Sequence, residues 1–211
     1  MTHPLPLHEI ARLEAQQKIL PHEIEKRVLE LLASGIDVHQ LDENGDTAFN
    51  IAAPASPIIG RLLTNFWLSG KSSKGINELS GSHNSSLAQY IAKWSNDEEI
   101  ELQLDDGIKN GLNIAIQNGS GWTPLHAACA MVFRLHAVRA FASRYNDLEL
   151  NLKTSESYKT KYFESPEIIF YDKGLTALAV AKTRLSQAKT LAPEFKQQFE
   201  QYIFYLSEGK S

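Results

Sequence analysis

Gly121-Trp122-Thr123-Pro124-Leu125-His126-Ala127-Ala128 is the stretch whose reading decides the fold. Thr123 suits the position just before a helix, where its hydroxyl accepts from an orphan backbone N–H. Pro124 at the first helical position gives up no hydrogen bond that the helix needs. Gly121, two residues before the cap, suits a tight turn with positive φ. Ala127 and Ala128 are small enough for a neighbouring helix to come close.

The same pattern recurs along the chain. Gly35-Ile36-Asp37-Val38 lies above Gly111-Leu112-Asn113-Ile114 at an offset of 76 (111 − 35), which also carries Gly45-Asp46-Thr47 onto Gly121-Trp122-Thr123 and Ala52-Ala53 onto Ala128-Cys129. Half that offset, 38, places Ser85-Ser86-Leu87-Ala88 between the two. A fourth copy reads Gly174-Leu175-Thr176-Ala177-Leu178-Ala179-Val180-Ala181. Internal periods of this size mark units that cannot bury an apolar face alone and must stack.

The third copy resembles the ankyrin signature T-P-L-H-x-A nearly residue for residue, and the resemblance covers roughly residues 35 to 190. It implies an all-α fold: a short ankyrin-repeat solenoid of about four repeats, at 42–77, 80–112, 118–152 and 171–190. A helical N-terminal cap is expected over 1–34 and a C-terminal capping helix over 191–211, with Phe195, Phe199, Tyr202, Ile203 and Leu206 on one side. It also implies that the His126 side chain bonds the backbone of the adjacent loop, a bridge that Asn50, Ala88 and Ala179 would lose in the other copies. Second helices carry apolar residues near the helical period: Ile58, Ile59, Leu62, Leu63 and Phe66 in the first copy, and Leu135, Val138 and Phe141 in the third.

The spacing departs from the family's usual period of about 33 residues, running 38, 38 and then 53 (176 − 123). The extra residues must leave the stack as loops. One excess, around Gly70 to Asn84, is rich in Ser, Gly and Lys and reads as a flexible surface loop. The larger, an enlarged finger over 153–170, carries Tyr158, Tyr162, Phe163 and Phe170 with Ile168 and Ile169, a composition enriched in protein contacts.

Charge, cysteine and histidine usage narrow the chemistry. A formal charge of -4 argues against a general nucleic-acid binder. The lone Cys129 permits no intrachain disulfide and fits a reducing compartment. No apolar run approaches the roughly 18 residues of a membrane span, and the first residues lack the pattern of an ordinary secretory signal. The seven histidines are scattered with no metal-ligand spacing, and P-loop, dinucleotide-binding and Gly-x-Ser-x-Gly patterns are absent. No cofactor is therefore expected.

These readings point to a non-enzymatic module that binds a protein partner, as a monomer. Mapped by motif position, the finger tips hold Asn44, Asp46, Ser120, Trp122, Lys173 and Leu175, and the concave row holds Ile51, Ala55, Gln89, Lys93, Ala127, Met131, Val180 and Arg184. The expected partner-binding residues are Asn44, Asp46, Trp122, Met131, Tyr158, Tyr162, Phe163, Lys173 and Arg184, and truncating Trp122 should abolish binding without unfolding the domain. Two alternatives stay open. Leu20-Pro21-His22-Glu23-Ile24 resembles the first helix of an F-box, the module of ubiquitin-ligase adaptors, which would need three helices before residue 35. An enzyme would need titratable side chains converging in a groove. The divergent copies are similar to those of ankyrin proteins that intracellular bacteria deliver into host cells, which implies a cytoplasmic setting, that of the host.

Overall fold

The structure, a computed structural model, describes residues 5–51, 58–82, 84–131, 134–161, 168–187 and 192–208. These are mostly helical. The helices are α1 (Pro6–Ala15), α2 (Pro21–Ala33), α3 (Ala48–Ile51), α4 (Ile58–Leu68), α5 (Leu87–Trp94), α6 (Ile100–Lys109), α7 (Pro124–Ala130), α8 (Leu135–Ala142), the single turn α9 (Asp147–Leu150), α10 (Ala177–Gln187) and α11 (Pro193–Glu208). Between α9 and α10 lies an antiparallel ribbon of β1 (Tyr158–Lys161) and β2 (Ile168–Tyr171). Apart from α9, helices pair in chain order: α1 with α2, α3 with α4, α5 with α6, α7 with α8, and α10 with α11. First helices stack α1 on α3, α5 on α7 and α7 on α10, and second helices stack α2 on α4, α6 on α8 and α8 on α11. One continuous apolar core results, with Phe49, Trp67, Tyr90, Phe141, Phe199 and Tyr202 almost wholly buried.

Local chemistry sets each first helix. Thr123 caps α7: its Oγ1 accepts from His126 N–H at 3.3 Å, while its own N–H donates to His126 Nδ1 at 3.2 Å. Ser86 caps α5 in the same way, with Gln89 Oε1 accepting from Ser86 N–H at 2.6 Å. The cap of this unit is thus Ser86 rather than Ser85, and the residue equivalent to His126 is Gln89 rather than Ala88. The one-residue slip occurs because the turn before it, closed by paired hydrogen bonds between Ser80 and Ser85, is one residue longer than its counterparts.

The third helical residue also ties its unit to the next. His126 Nε2 lies 2.9 Å from Leu175 O, Gln89 Nε2 donates to Trp122 O at 2.5 Å, and His8 Nε2 lies 2.9 Å from Asp46 O. Each accepting residue immediately precedes the next cap. The same carbonyls close their own fingers, accepting from Asp42 N–H (to Asp46, 2.9 Å), Asn118 N–H (to Trp122, 3.0 Å) and Thr154 N–H (to Leu175, 3.0 Å). Asn50, one methylene shorter than Gln89, accepts from Thr47 instead, at 2.8 Å from its Oγ1.

His8 shows that α1 and α2, expected as a cap, repeat the bridging geometry of the later pairs. Pro6-Leu7-His8 duplicates Pro124-Leu125-His126, with Leu5 in the cap position and no side-chain cap bond. The helix over residues 193–208, expected as a separate cap, is the partner of α10.

Several local expectations need correction. On α4 the buried face is Ile59, Gly60, Leu63, Thr64 and Trp67, whereas Ile58, Leu62 and Phe66 are half-buried. Trp67 turns the face, because its ring packs among His39, Phe49 and Tyr90. The segment from Gly70 to Asn84, expected to be loose, is fastened where it is described. His39 reaches Ser80 Oγ at 3.0 Å and Ser72 Oγ at 2.7 Å, and Trp67 Nε1 donates to Lys74 O at 3.2 Å. The long interval also acquires a position: finger bases fall at 42, 80, 118 and 154, so their spacing (38, 38, 36) stays regular and the excess enters between Thr154 and Gly174, whose N–H donates to Thr154 O at 2.8 Å.

Two predictions follow from the buried imidazoles. His126→Ala leaves Leu175 O without its bridge and Thr123 N–H without its acceptor, a loss of about 2–4 kcal/mol. His126→Gln restores more than half of it in urea unfolding at pH 7.5, since Gln89 serves both groups in its own unit. Desolvation holds His39 and His126 down to about 4. The unfolded chain therefore binds protons below about 6.5 that the folded one refuses. This stability is complete above pH 7 and is lost as the pH falls from 6.5 toward 4, up to about 3 kcal/mol for each histidine. Denaturation at pH 7.5, 6 and 5 measures the fall, and His126→Gln removes roughly half of it.

Candidate interaction surface

The ribbon grows from a fixed base. Strand register pairs Tyr158 with Tyr171 and Lys159 with Phe170. Tyr158 and Tyr171 turn toward the stack and meet Trp122 edge-on, with ring centroids 5.5 and 5.2 Å away. Gly121 allows this approach: its φ is +74°, and a Cβ there would stand 2.4 Å from Ser155 N, which donates to Ser120 O at 3.0 Å. The outer edge of β2 is closed as well. The Gln187 carboxamide from α10 accepts from Phe170 N–H at 2.9 Å and donates to Phe170 O at 2.8 Å, standing in for a third strand.

With that face and edge occupied, alternation along β2 sends Ile169 and Tyr171 inward and leaves Ile168 54% and Phe170 57% exposed. Two large apolar side chains, two residues apart on a braced strand, stand in water.

The residues expected at the site divide. Trp122 is only 7% exposed, closed over by Tyr158 and Tyr171, so it braces the ribbon and is not a tip contact. Among the described residues its Nε1–H has no hydrogen-bond acceptor. Arg184 is fully buried, its guanidinium 5.6 Å from the Phe199 ring centre, and is out of a partner's reach. Gln89, Ala127 and Val180 are likewise buried, because the first helices press together along the row expected to be concave. Of that row Ile51, Lys93 and Met131 keep some exposure, and Ala55 lies outside the described residues. Met131 is half-buried at the end of α7, its carbonyl accepting from Tyr202 O–H at 3.2 Å. Asn44 and Lys173 are exposed, and Tyr158 and Asp46 half-exposed, with the Asp46 carboxylate accepting from Ser82 Oγ at 2.5 Å. Tyr162 and Phe163 lie outside the described residues.

Ile168 and Phe170 were not separable in sequence, since Ile168-Ile169-Phe170-Tyr171 is apolar throughout and alternation leaves no mark. Gln187 carried no signal, being distant in the chain and ordinary in type.

A cleft of about 400 Å³ beside α4 is lined by Trp67, Ser72, Ser73, Lys74 and Ile76, among others, and the Lys74 Nζ donates to Leu79 O at 2.7 Å. Cys129 is fully buried in α7, and burial pushes its thiol far above the ordinary range. No group of three or more His, Cys, Asp or Glu able to hold a metal occurs among the described residues. Among the described residues two helices, α1 and α2, precede Gly35 where an F-box needs three, and α2 packs against α4. No helix among the described residues is long and apolar enough to cross a membrane. The chain matches no model of a known protein family, and no curated protein is significantly similar to it.

Because the Trp122 ring is buried support, Trp122→Ala should lower stability by about 3–5 kcal/mol in chemical denaturation. Phe170→Ala, which uncovers nothing, should change it by less than about 0.5 kcal/mol.

Proposed function

We propose that this chain is an ankyrin-repeat module, non-enzymatic, that binds a protein partner through the outward face of its β1–β2 ribbon. The observation that carries the reading is the pair Ile168 and Phe170, more than half exposed on a strand whose other face and outer edge are held by Trp122, Tyr158, Tyr171 and Gln187. Rigid apolar anchors of this kind lose little entropy when a partner covers them. The polar finger row supplies the rim, with Asn44, Asp46 and Lys173 at its tips. An interface of standard size, about 800 Å² on each side, would extend beyond the ribbon onto these fingers.

The ankyrin reading draws on the Thr123-Pro124-Leu125-His126 signature and on side-chain bridges to the loop before the next cap. The charge of -4 speaks for a protein partner over nucleic acid. The single cysteine and the divergent copies are the grounds for a cytoplasmic setting, that of a host cell, with the chain acting as a monomer.

The test is affinity capture from a cell lysate with the native chain and with Ile168→Glu/Phe170→Glu. The double variant should keep its thermal stability and weaken capture of a specific protein by about a hundred-fold, some 2–3 kcal/mol. Equal capture by both chains would remove the ribbon from the interface.

A further inference from the structure

The two edges of the ribbon differ. On β2, Phe170 turns both its N–H and its C=O away from β1, since both are bonded to the Gln187 carboxamide. Lys159 and Phe170 are therefore a pair that exchanges no hydrogen bonds, and alternation makes Lys161 and Ile168 another. Each residue of such a pair points its backbone groups outward. The N–H and C=O of Lys159 and Lys161 thus line the outer edge of β1. Helix α10 packs on β2, and no helix packs on β1 in the same way. Among the described residues nothing bonds this edge as Gln187 bonds the other.

We propose that the β1 edge takes up an extended acidic segment of the protein partner as a third strand, which rests on the ribbon being the binding surface. A strand added there meets a row of free backbone donors and acceptors. Charge selects the occupant. Residues directly opposite in a pair share a face, so Lys159 and Lys161 hold register positions on the face of the exposed Phe170 and Ile168. The β2 line continues to Asp172, but β1, the strand beside the newcomer, has lysine at both outward positions. Like charges on adjacent strands repel and opposite charges attract. A second copy of this chain, edge to edge, would set lysine against lysine, a common guard against self-pairing. A segment with acids at alternate positions meets those lysines, and its intervening residues fall on the face of Tyr158, where β-branched types fit. A lipid surface would leave the edge N–H and C=O groups without partners.

The full chain is titrated with the peptide acetyl-Gly-Glu-Val-Glu-Val-Glu-Val-Gly-amide, and amide hydrogen exchange is followed by NMR. The peptide should bind with a Kd below about 1 mM. At saturation the Lys159 and Lys161 amides should exchange at least about ten-fold more slowly, while Thr160, whose amide faces β2, is unchanged. Lysine in place of the peptide's glutamates, or Lys159→Glu/Lys161→Glu in the chain, should weaken binding at least about ten-fold. Peptides N-methylated on all glutamates or on all valines should differ by a similar factor, since one set of amides faces β1. A peptide that does not bind, or that leaves the exchange of Lys159 and Lys161 unchanged, overturns the proposal. So does binding to phosphatidylserine vesicles in place of the peptide. Lysate capture tells this failure from that of the underlying reading. If Ile168→Glu/Phe170→Glu loses capture while the two amides stay unprotected, the added strand alone falls; undiminished capture by that variant takes the ribbon with it.

Discussion

One carbonyl in each of three turns holds this molecule together. Asp46, Trp122 and Leu175 each accept from the base of their own finger and from the third helical side chain of a preceding unit: His8, Gln89 and His126. The donor side chain also serves its own helix, since His126 Nδ1 and Gln89 Oε1 accept from the cap N–H. One planar side chain with an acceptor at one end and a donor at the other therefore fixes a helix start and the distance to its neighbour together. That dual demand explains the kinship of His and Gln at this position. Burial keeps His126 neutral: desolvation lowers its pKa to about 4, against the opposing pull of the Leu175 carbonyl.

Because register is set at the finger base, the finger beyond it is free to vary. Thr154 and Leu175 make the same closing bond as Asp42 and Asp46 or Asn118 and Trp122, although nineteen further residues lie between Thr154 and Gly174 in the chain numbering. The helices below do not register the insertion. The ribbon gains rigidity by borrowing it, through Trp122 from the finger before and Gln187 from the helix after. An exposed apolar pair on such a support is presented in one arrangement, which suits recognition.

Much of this was legible residue by residue. Thr123 and Pro124 announced a helix start, and Gly45, Gly121 and Gly174, at φ +78°, +74° and +83°, announced the turns. The copy at Pro6-Leu7-His8 was equally legible, since it repeats Pro124-Leu125-His126, but without a capping hydroxyl at Leu5 it looked like an ordinary helix start. The cap at Ser86 was obscured by two adjacent serines, either of which has the right chemistry. The candidate surface was less accessible. Trp122 has the composition of a contact residue and the position of a finger tip, and only the ribbon folding back over it made it buried. Arg184 has the charge of a surface residue and lies in the core against Phe199.

The sequence by itself determined the local decisions: where helices start, where turns take positive φ, and how far apart successive units stand. Each depends on groups within a few residues of one another, so residue type and spacing suffice. The tertiary structure decided which side chains are exposed. Ile168 and Ile169 are chemically the same, and what places one in water and the other in the core is the arrival of Trp122 and Gln187 from distant segments. Exposure belongs to pairs of surfaces brought together by folding, and no single stretch of chain contains it.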